Sequence, residues 1–354
     1  MRALAIAVLA VFTVSCSLIR AAAPTVPTAS VGGALGAAGD LADAKAKWDE
    51  CTAFSEKPIS YPEEVAVGGA IALALAAKGK GGVFVETSPE LASLSSIPKG
   101  KYDKVKPAPG TGPKTDLTRY LNTLGKGLAA YSERPTIEWV FVVVDNPAAN
   151  AFSAPGGYVF VTTGMLKQVK NEAQLAGILG HEIGHVSGKH ALDAYKKSKK
   201  VSCLVGYFGG KLADGAVKQV LGPLASEVES AARALNASDV LAAIKMPVFD
   251  PNKLTGGFVK WLTNKIVDSL AADGYGEHEK EADATATRLV TFAGYDVAEY
   301  EKLVAALPEG AGQIKHPPNK ERLEVIAGVK AEYADFAAAG KAPALSPTVA
   351  AATK

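Results

Sequence analysis

Cysteine and histidine are scarce, with three of the first and five of the second in 354 residues. Three cysteines cannot make a disulfide-dense scaffold. An excess of one charge is also missing: 38 Lys and Arg face 36 Asp and Glu, for a formal net charge of +2. That balance is too small for an electrostatic nucleic-acid binder, so no nucleic-acid partner is expected. Beyond the N-terminus no apolar run is long enough for a spanning helix, which excludes a multi-span membrane protein. A composition that is 48% hydrophobic and 21% charged excludes wholesale disorder. What is left is a globular body, large enough for one big domain or two ordinary ones, behind an unusual front end.

The front end reads Met1-Arg2, then the uncharged stretch Ala3–Ile19, then Arg20. A basic start before a short apolar stretch is the pattern of a secretory signal. Phe12-Thr13-Val14-Ser15-Cys16 resembles a bacterial lipobox, in which Cys16 would carry lipid and become the mature N-terminus. Cleavage after Ala21-Ala22-Ala23 is the rival, though Pro24 suits it poorly. The expected organisation is a lipoprotein-type signal over 1–15, a tether over 16–39, one domain over 40–338 and a disordered tail over 339–354. The lipid would anchor the chain to a membrane, in the periplasm at the outer membrane. Cys51 and Cys203 then form either one disulfide or two buried thiols.

Within the domain the pattern predicts helices over about 41–54, 62–78, 116–131, 171–190, 277–292 and 319–338. Ile137–Asp145 and Tyr158–Thr163 are β-branched and aromatic and predict strands, with a short one possible at Val83–Glu86. Residues 79–115 form a lysine-bearing loop, and 201–275 a largely helical insertion.

The helix over 171–190 is unusually dry. Asn171 and Gln174 have capping-box spacing. Leu175, Ile178, Leu179, Ile183 and Val186 make one apolar stripe, while Gly177, Gly180, Gly184 and Gly188 line another side. Each interior glycine costs roughly 1 kcal/mol relative to alanine, so four of them imply close approach by a neighbouring element. From Leu175 to Gly188 the ionisable side chains are His181, Glu182 and His185, and buried ionisable groups need partners or a task.

His181 and His185 are one turn apart and can face one ion, while Glu182 projects about a third of a turn away, within reach of a water on that ion. H-E-x-x-H is the zincin arrangement of two ligands and a general base. His190 reads as structural. A third ligand is wanted, and a third histidine at metzincin spacing is missing. Glu279 is the expected ligand, with Glu277 the alternative. Asp283, on the face of Glu279, is the expected acceptor that fixes a ligand histidine's ring. His278 reads as a surface residue.

His181-Glu182-Ile183-Gly184-His185 together with Glu279, Ala282 and Asp283 resembles the HtpX-like zinc metallopeptidases, the family that includes the CAAX prenyl endopeptidases. Further blocks carry the resemblance: Glu64–Gly68, Arg119–Gly125, Asp145–Thr162 and His316–Leu323. The resemblance favours Glu279 as third ligand and implies an α+β, mainly helical zincin-like (gluzincin) domain. Its small sheet would have an edge strand bordering the active-site helix. The chain is similar to the soluble, exported, often lipid-anchored bacterial branch.

The implied reaction is peptide hydrolysis with one Zn²⁺ per chain on His181, His185 and Glu279, and Glu182 as the base. His316 and Arg322 are the implied oxyanion donors, His316 alternatively a plug on the metal. Ala151, Phe152 and Ser153 would lie on the edge strand and pair with polypeptide substrates in extended conformation. The expected function is quality control of unfolded or misassembled envelope proteins. The rival is a periplasmic chaperone or assembly factor with a latent metal site.

Overall fold

The computed structural model describes residues 37–76, 83–84, 113–234, 264–265, 276–308 and 317–347. Cys16, His316, most of the 79–115 loop and much of the 201–275 insertion lie outside the described residues. The chain divides into two compact units, one of residues Met1–Ala66 with Leu192–Lys265 and the other of Val67–Ala191 with Ile266–Lys354. Among the described residues no helix is long and apolar enough to cross a membrane.

In chain order the elements are helices α1 (Ala37–Ser55) and α2 (Tyr61–Ala76), strand β1 (Val83–Phe84), helix α3 (Pro113–Ala129), and strands β2 (Val140–Val144), β3 (Ala151–Ala154) and β4 (Tyr158–Thr162). Helices α4 (Thr163–Gln168), α5 (Glu172–Ser187), α6 (His190–Phe208), α7 (Gly215–Leu221) and α8 (Ala225–Ala234) follow, with a short 3-10 turn at Gly222–Leu224. Helices α9 (Gly276–Phe292), α10 (Val297–Ala306), α11 (Asn319–Glu332) and α12 (Ala334–Ala337) complete the set. The fold is mainly helical with one small sheet.

In the first unit a disulfide joins Cys51 of α1 to Cys203 of α6, which decides between the two states the sequence allowed. Buried Glu63 accepts hydrogen bonds from the Tyr195 hydroxyl at 2.9 Å and Lys199 Nζ at 3.1 Å. Lys200 Nζ lies 3.9 Å from the centre of the Trp48 ring.

The second unit holds the sheet, in the order β1-β2-β4-β3. β2 and β4 run parallel, and Phe141, Val142, Val143 and Val144 are all buried, as expected of a strand covered on both faces. β3 pairs antiparallel with β4, Ala151 opposite Val161 and Ser153 opposite Val159, and forms one edge of the sheet. Leu117, Leu121 and Leu128 of α3 join Leu175, Leu179 and Ile183 of α5 in one core against Phe141, Val143, Val159 and Val161. Asn122 ties α3 to β2: its amide nitrogen donates to Phe141 O at 2.6 Å, and Phe141 N donates back to Asn122 Oδ1 at 3.1 Å.

Three expectations need correction. The helix predicted over 171–190 ends at Ser187, and α6 restarts at His190. The helix predicted over 319–338 breaks at Tyr333. The tail predicted to be disordered from 339 is instead paired as far as described. Asp296 N donates to Lys341 O at 2.8 Å, Lys341 N to Gly294 O at 3.0 Å, and Glu172 N to Pro343 O at 2.9 Å. The first N–H groups of a helix need acceptors from outside it, and this extended segment supplies one to α5 while Leu345 packs on the core.

Candidate metal centre

Helix α5 is placed by its cap and by what lies beside it. Asn171 Oδ1 accepts from Gln174 N at 2.9 Å, while Gln174 Oε1 reaches back to Lys170 N, one residue earlier than in a standard capping box. The glycine side of α5 meets its neighbours at backbone distance. A Cβ on Gly184 would lie 2.9 Å from Cα of Ala282, one on Gly180 3.0 Å from Cα of Ala286, and one on Gly177 2.2 Å from the Tyr300 ring. The first two neighbours are on α9. This closeness brings the acidic face of α9 onto His181 and His185.

There the side chains converge. His181 Nε2 and His185 Nε2 are 3.1 Å apart. Glu279 Oε2 lies 3.3 Å from the first and its Oε1 3.2 Å from the second. An ion bound tetrahedrally at about 2.0–2.1 Å keeps its donors roughly 3.3 Å apart. The Nε2–Nε2 separation is close to that edge length, Glu279 sets one oxygen near each imidazole, and two imidazole nitrogens with one carboxylate are a zinc-type donor set, so the residues fit a metal ion. His181 and Glu279 are buried, whereas the His185 side chain keeps 11% exposure. The alternative ligand Glu277 is 84% exposed in its side chain and pairs with Lys280 at 3.2 Å, outside the group. Glu182 follows His181 on the same helix and is buried; helix geometry sets it about 60° around the axis from His185.

Asp283 lies fully buried beside His181. Its Oδ1 is 2.9 Å from His181 Nδ1 and accepts the Tyr300 hydroxyl at 2.6 Å. Arg322 donates to both oxygens, Nε to Oδ2 and Nη2 to Oδ1, each at 2.8 Å. Burial opposes ionisation of Asp283, but Arg322 and His181 outweigh it and hold the carboxyl well below the usual carboxylate range. Burial likewise opposes a charge on His181, but Asp283 and Glu279 raise it to about 10 when no metal competes for the ring.

The expected role of Arg322 as an oxyanion donor is corrected here. Its guanidinium is buried on Asp283, and a bidentate pair of this kind leaves it acting on the centre through that carboxylate. His278, expected at the surface, stacks on His190 with ring centres 4.3 Å apart and planes 7° from parallel. His190 is itself 2% exposed, with Nδ1 2.9 Å from His185 Nδ1. Burial and the neighbouring His185 and His278 rings push it down to about 3. Ala151, Phe152 and Ser153 are half-buried on edge strand β3, which packs beside α5.

Tyr300 stands outside the residues expected at the site, on helix α10, which is not among the expected helices. The signals for one are present: Asp296 caps the helix by accepting from Ala298 N, and Val297, Tyr300, Leu303 and Val304 follow at helical spacing.

Comparison with known proteins agrees with this geometry. Residues 116–246 match the family described as Peptidase family M48. The match takes in His181, Glu182 and His185 and ends before Glu279, Asp283 and Arg322. The chain is 36% identical over 98 residues to the Beta-barrel assembly-enhancing protease of Yersinia pestis, covering 27% of this chain and 20% of that protein. It is 36% identical over 88 residues to the Mitochondrial metalloendopeptidase OMA1 of Schizosaccharomyces pombe, covering 25% and 26%. With the human Metalloendopeptidase OMA1, mitochondrial, identity is 49% over 57 residues, 16% and 11% of the two chains. The chain thus spans roughly a quarter or less of the length of these relatives.

Proposed function

We propose that this chain, whose residues 116–246 match Peptidase family M48, is a zinc-dependent endopeptidase that cleaves polypeptides bound in extended form. The observation that carries the reading is the convergence of His181 Nε2 and His185 Nε2, 3.1 Å apart, on the Glu279 carboxylate, whose Oε2 lies 3.3 Å from the first and Oε1 3.2 Å from the second. One Zn²⁺ held by these three residues would supply Lewis acidity toward the scissile carbonyl and lower the pKa of a water. Glu182 takes that water's proton at its carboxylate and hands it to the leaving amine. Asp283 holds the His181 ring through Nδ1, and Tyr300 and Arg322 hold Asp283.

The edge of β3 offers main-chain groups to a substrate strand, so Ala151, Phe152 and Ser153 orient the peptide with modest dependence on its sequence. That favours unfolded or misassembled proteins, and the relatives named for β-barrel assembly support a role in envelope quality control. Lipid attachment at Cys16 would hold the enzyme at the outer membrane, facing the periplasm. His316 belongs to this proposal as a donor to the oxyanion or as a plug.

The test is metal content and peptide hydrolysis on one preparation. About one zinc per chain, lost in Glu279→Ala, with hydrolysis of an unfolded protein abolished in Glu182→Gln while zinc is retained, is the expected result. A folded protein that takes up no zinc would sink the reading.

A further inference from the structure

We propose that His190 is a positioning residue of the metal centre, holding the His185 ring from behind so that its Nε2 faces the ion. The inference rests on the zinc-centre reading above and assigns a task to a residue that reads from sequence as structural.

The two ring nitrogens of His185 have different partners. Nε2 stands in the donor group, 3.1 Å from His181 Nε2 and 3.2 Å from Glu279 Oε1. A metal there needs the lone pair of Nε2, so the ring proton must sit on Nδ1. Nδ1 lies 2.9 Å from His190 Nδ1, which accepts that proton's hydrogen bond. His190 then carries its own proton on Nε2, 3.3 Å from Glu281 Oε2. Each ligand histidine is thereby backed, His181 by the Asp283 carboxylate and His185 by a ring that a carboxylate faces in turn.

The backbone is built for this contact. Residues five apart on a continuous helix point about 140° from each other, so an uninterrupted helix would carry His190 away from His185. Instead α5 stops at Ser187, Gly188 closes it, and Lys189 turns the chain with φ of +59°, a conformation that residues other than glycine rarely adopt. Helix α6 then restarts with His190 folded back beneath the centre. Gly188 must lack a side chain here, since a Cβ would lie 2.2 Å from His190 Nε2. From α9, His278 stacks flat on the ring and stops it from turning. A residue needed only to fill space would call for neither the left-handed turn nor a polar ring at 2% exposure.

The experiment compares zinc affinity by chelator competition for the full chain, His190→Phe, His190→Asn and Glu281→Gln, each checked for folding by circular dichroism. Phenylalanine keeps the ring and loses the acceptor; asparagine loses the ring and keeps an acceptor oxygen near the Nδ1 position. We expect His190→Phe to bind zinc about 10–100-fold more weakly, His190→Asn to recover most of that loss, and Glu281→Gln to lose a few-fold. Affinity retained by phenylalanine but not by asparagine would show a packing role and overturn the proposal. Should His190→Phe not fold, nitrogen NMR of the zinc-loaded wild type decides, because His190 must carry its proton on Nε2, and a proton on Nδ1 overturns the proposal. A wild-type chain that takes up no zinc would instead fail the metal-centre reading itself.

Discussion

Arg322 grips both carboxylate oxygens of Asp283, with Nε on one and Nη2 on the other at 2.8 Å each, and both side chains are buried. Through Asp283, 39 positions earlier in the chain, the grip of Arg322 reaches the ring of His181. Replacing Arg322 with Met leaves a carboxylate buried without its cation, and the expected loss is about 3–5 kcal/mol of stability. Tyr300→Phe removes one hydrogen bond to the same carboxylate and should cost about 1.5–3 kcal/mol. Denaturant titration of both variants checks the order; equal, negligible losses would contradict this account of Asp283.

Gly184 gives a prediction about the metal that involves no ligand. A Cβ there would come 2.9 Å from Cα of Ala282 and 3.2 Å from Cβ of Thr285, and neither neighbour can swing aside. Gly184→Ala therefore pushes α9 outward and carries Glu279 with it, despite a gain of roughly 1 kcal/mol in helix propensity. Zinc affinity should fall at least tenfold. Unchanged affinity would mean that α9 yields without moving its carboxylate.

Two tyrosines and the first residue of α5 share a pH-dependent contact. Tyr120 and Tyr295 both donate to Glu172, and burial together with that carboxylate raises both phenols above their ordinary value. The folded pKa exceeds the unfolded one, so the stabilisation is present in full below about pH 10 and is lost as pH rises beyond it. Absorbance titration of tyrosinate in Glu172→Gln should show two phenols ionising at lower pH than in the wild type. Superimposable curves would remove Glu172 as a cause.

The disulfide Cys51–Cys203 closes a long loop, with a sequence separation of 152. Its replacement by two serines should lower stability by about 2–5 kcal/mol, mainly through a less restricted unfolded chain. Zinc content should stay the same, because His181, His185 and Glu279 all belong to the other compact unit. Loss of zinc in the folded double variant would contradict this separation.

The local pattern of α5 is legible in the amino-acid sequence itself. An Asn171 cap, an apolar stripe, a run of glycines and three ionisable residues are all encoded within one helix, where spacing translates directly into faces. The glycines even announce a close neighbour, which is α9. The acidic pair Glu279 and Asp283 is legible for the same reason, since four residues make one turn.

What tertiary structure alone decided lies between elements. Sequence spacing could not say whether Arg322 faces a substrate or a carboxylate, because that depends on how α11 packs against α9. Nor could it show that Tyr300 closes over Asp283, or that a tail of Ala and Pro returns to α5 and satisfies the N–H of Glu172. His190 is the sharpest case: continued helical periodicity would turn it away from His185, and a single left-handed residue at Lys189 reverses that outcome. Periodicity holds only while the backbone stays regular, so contacts made by a break in it appear only once the chain has folded.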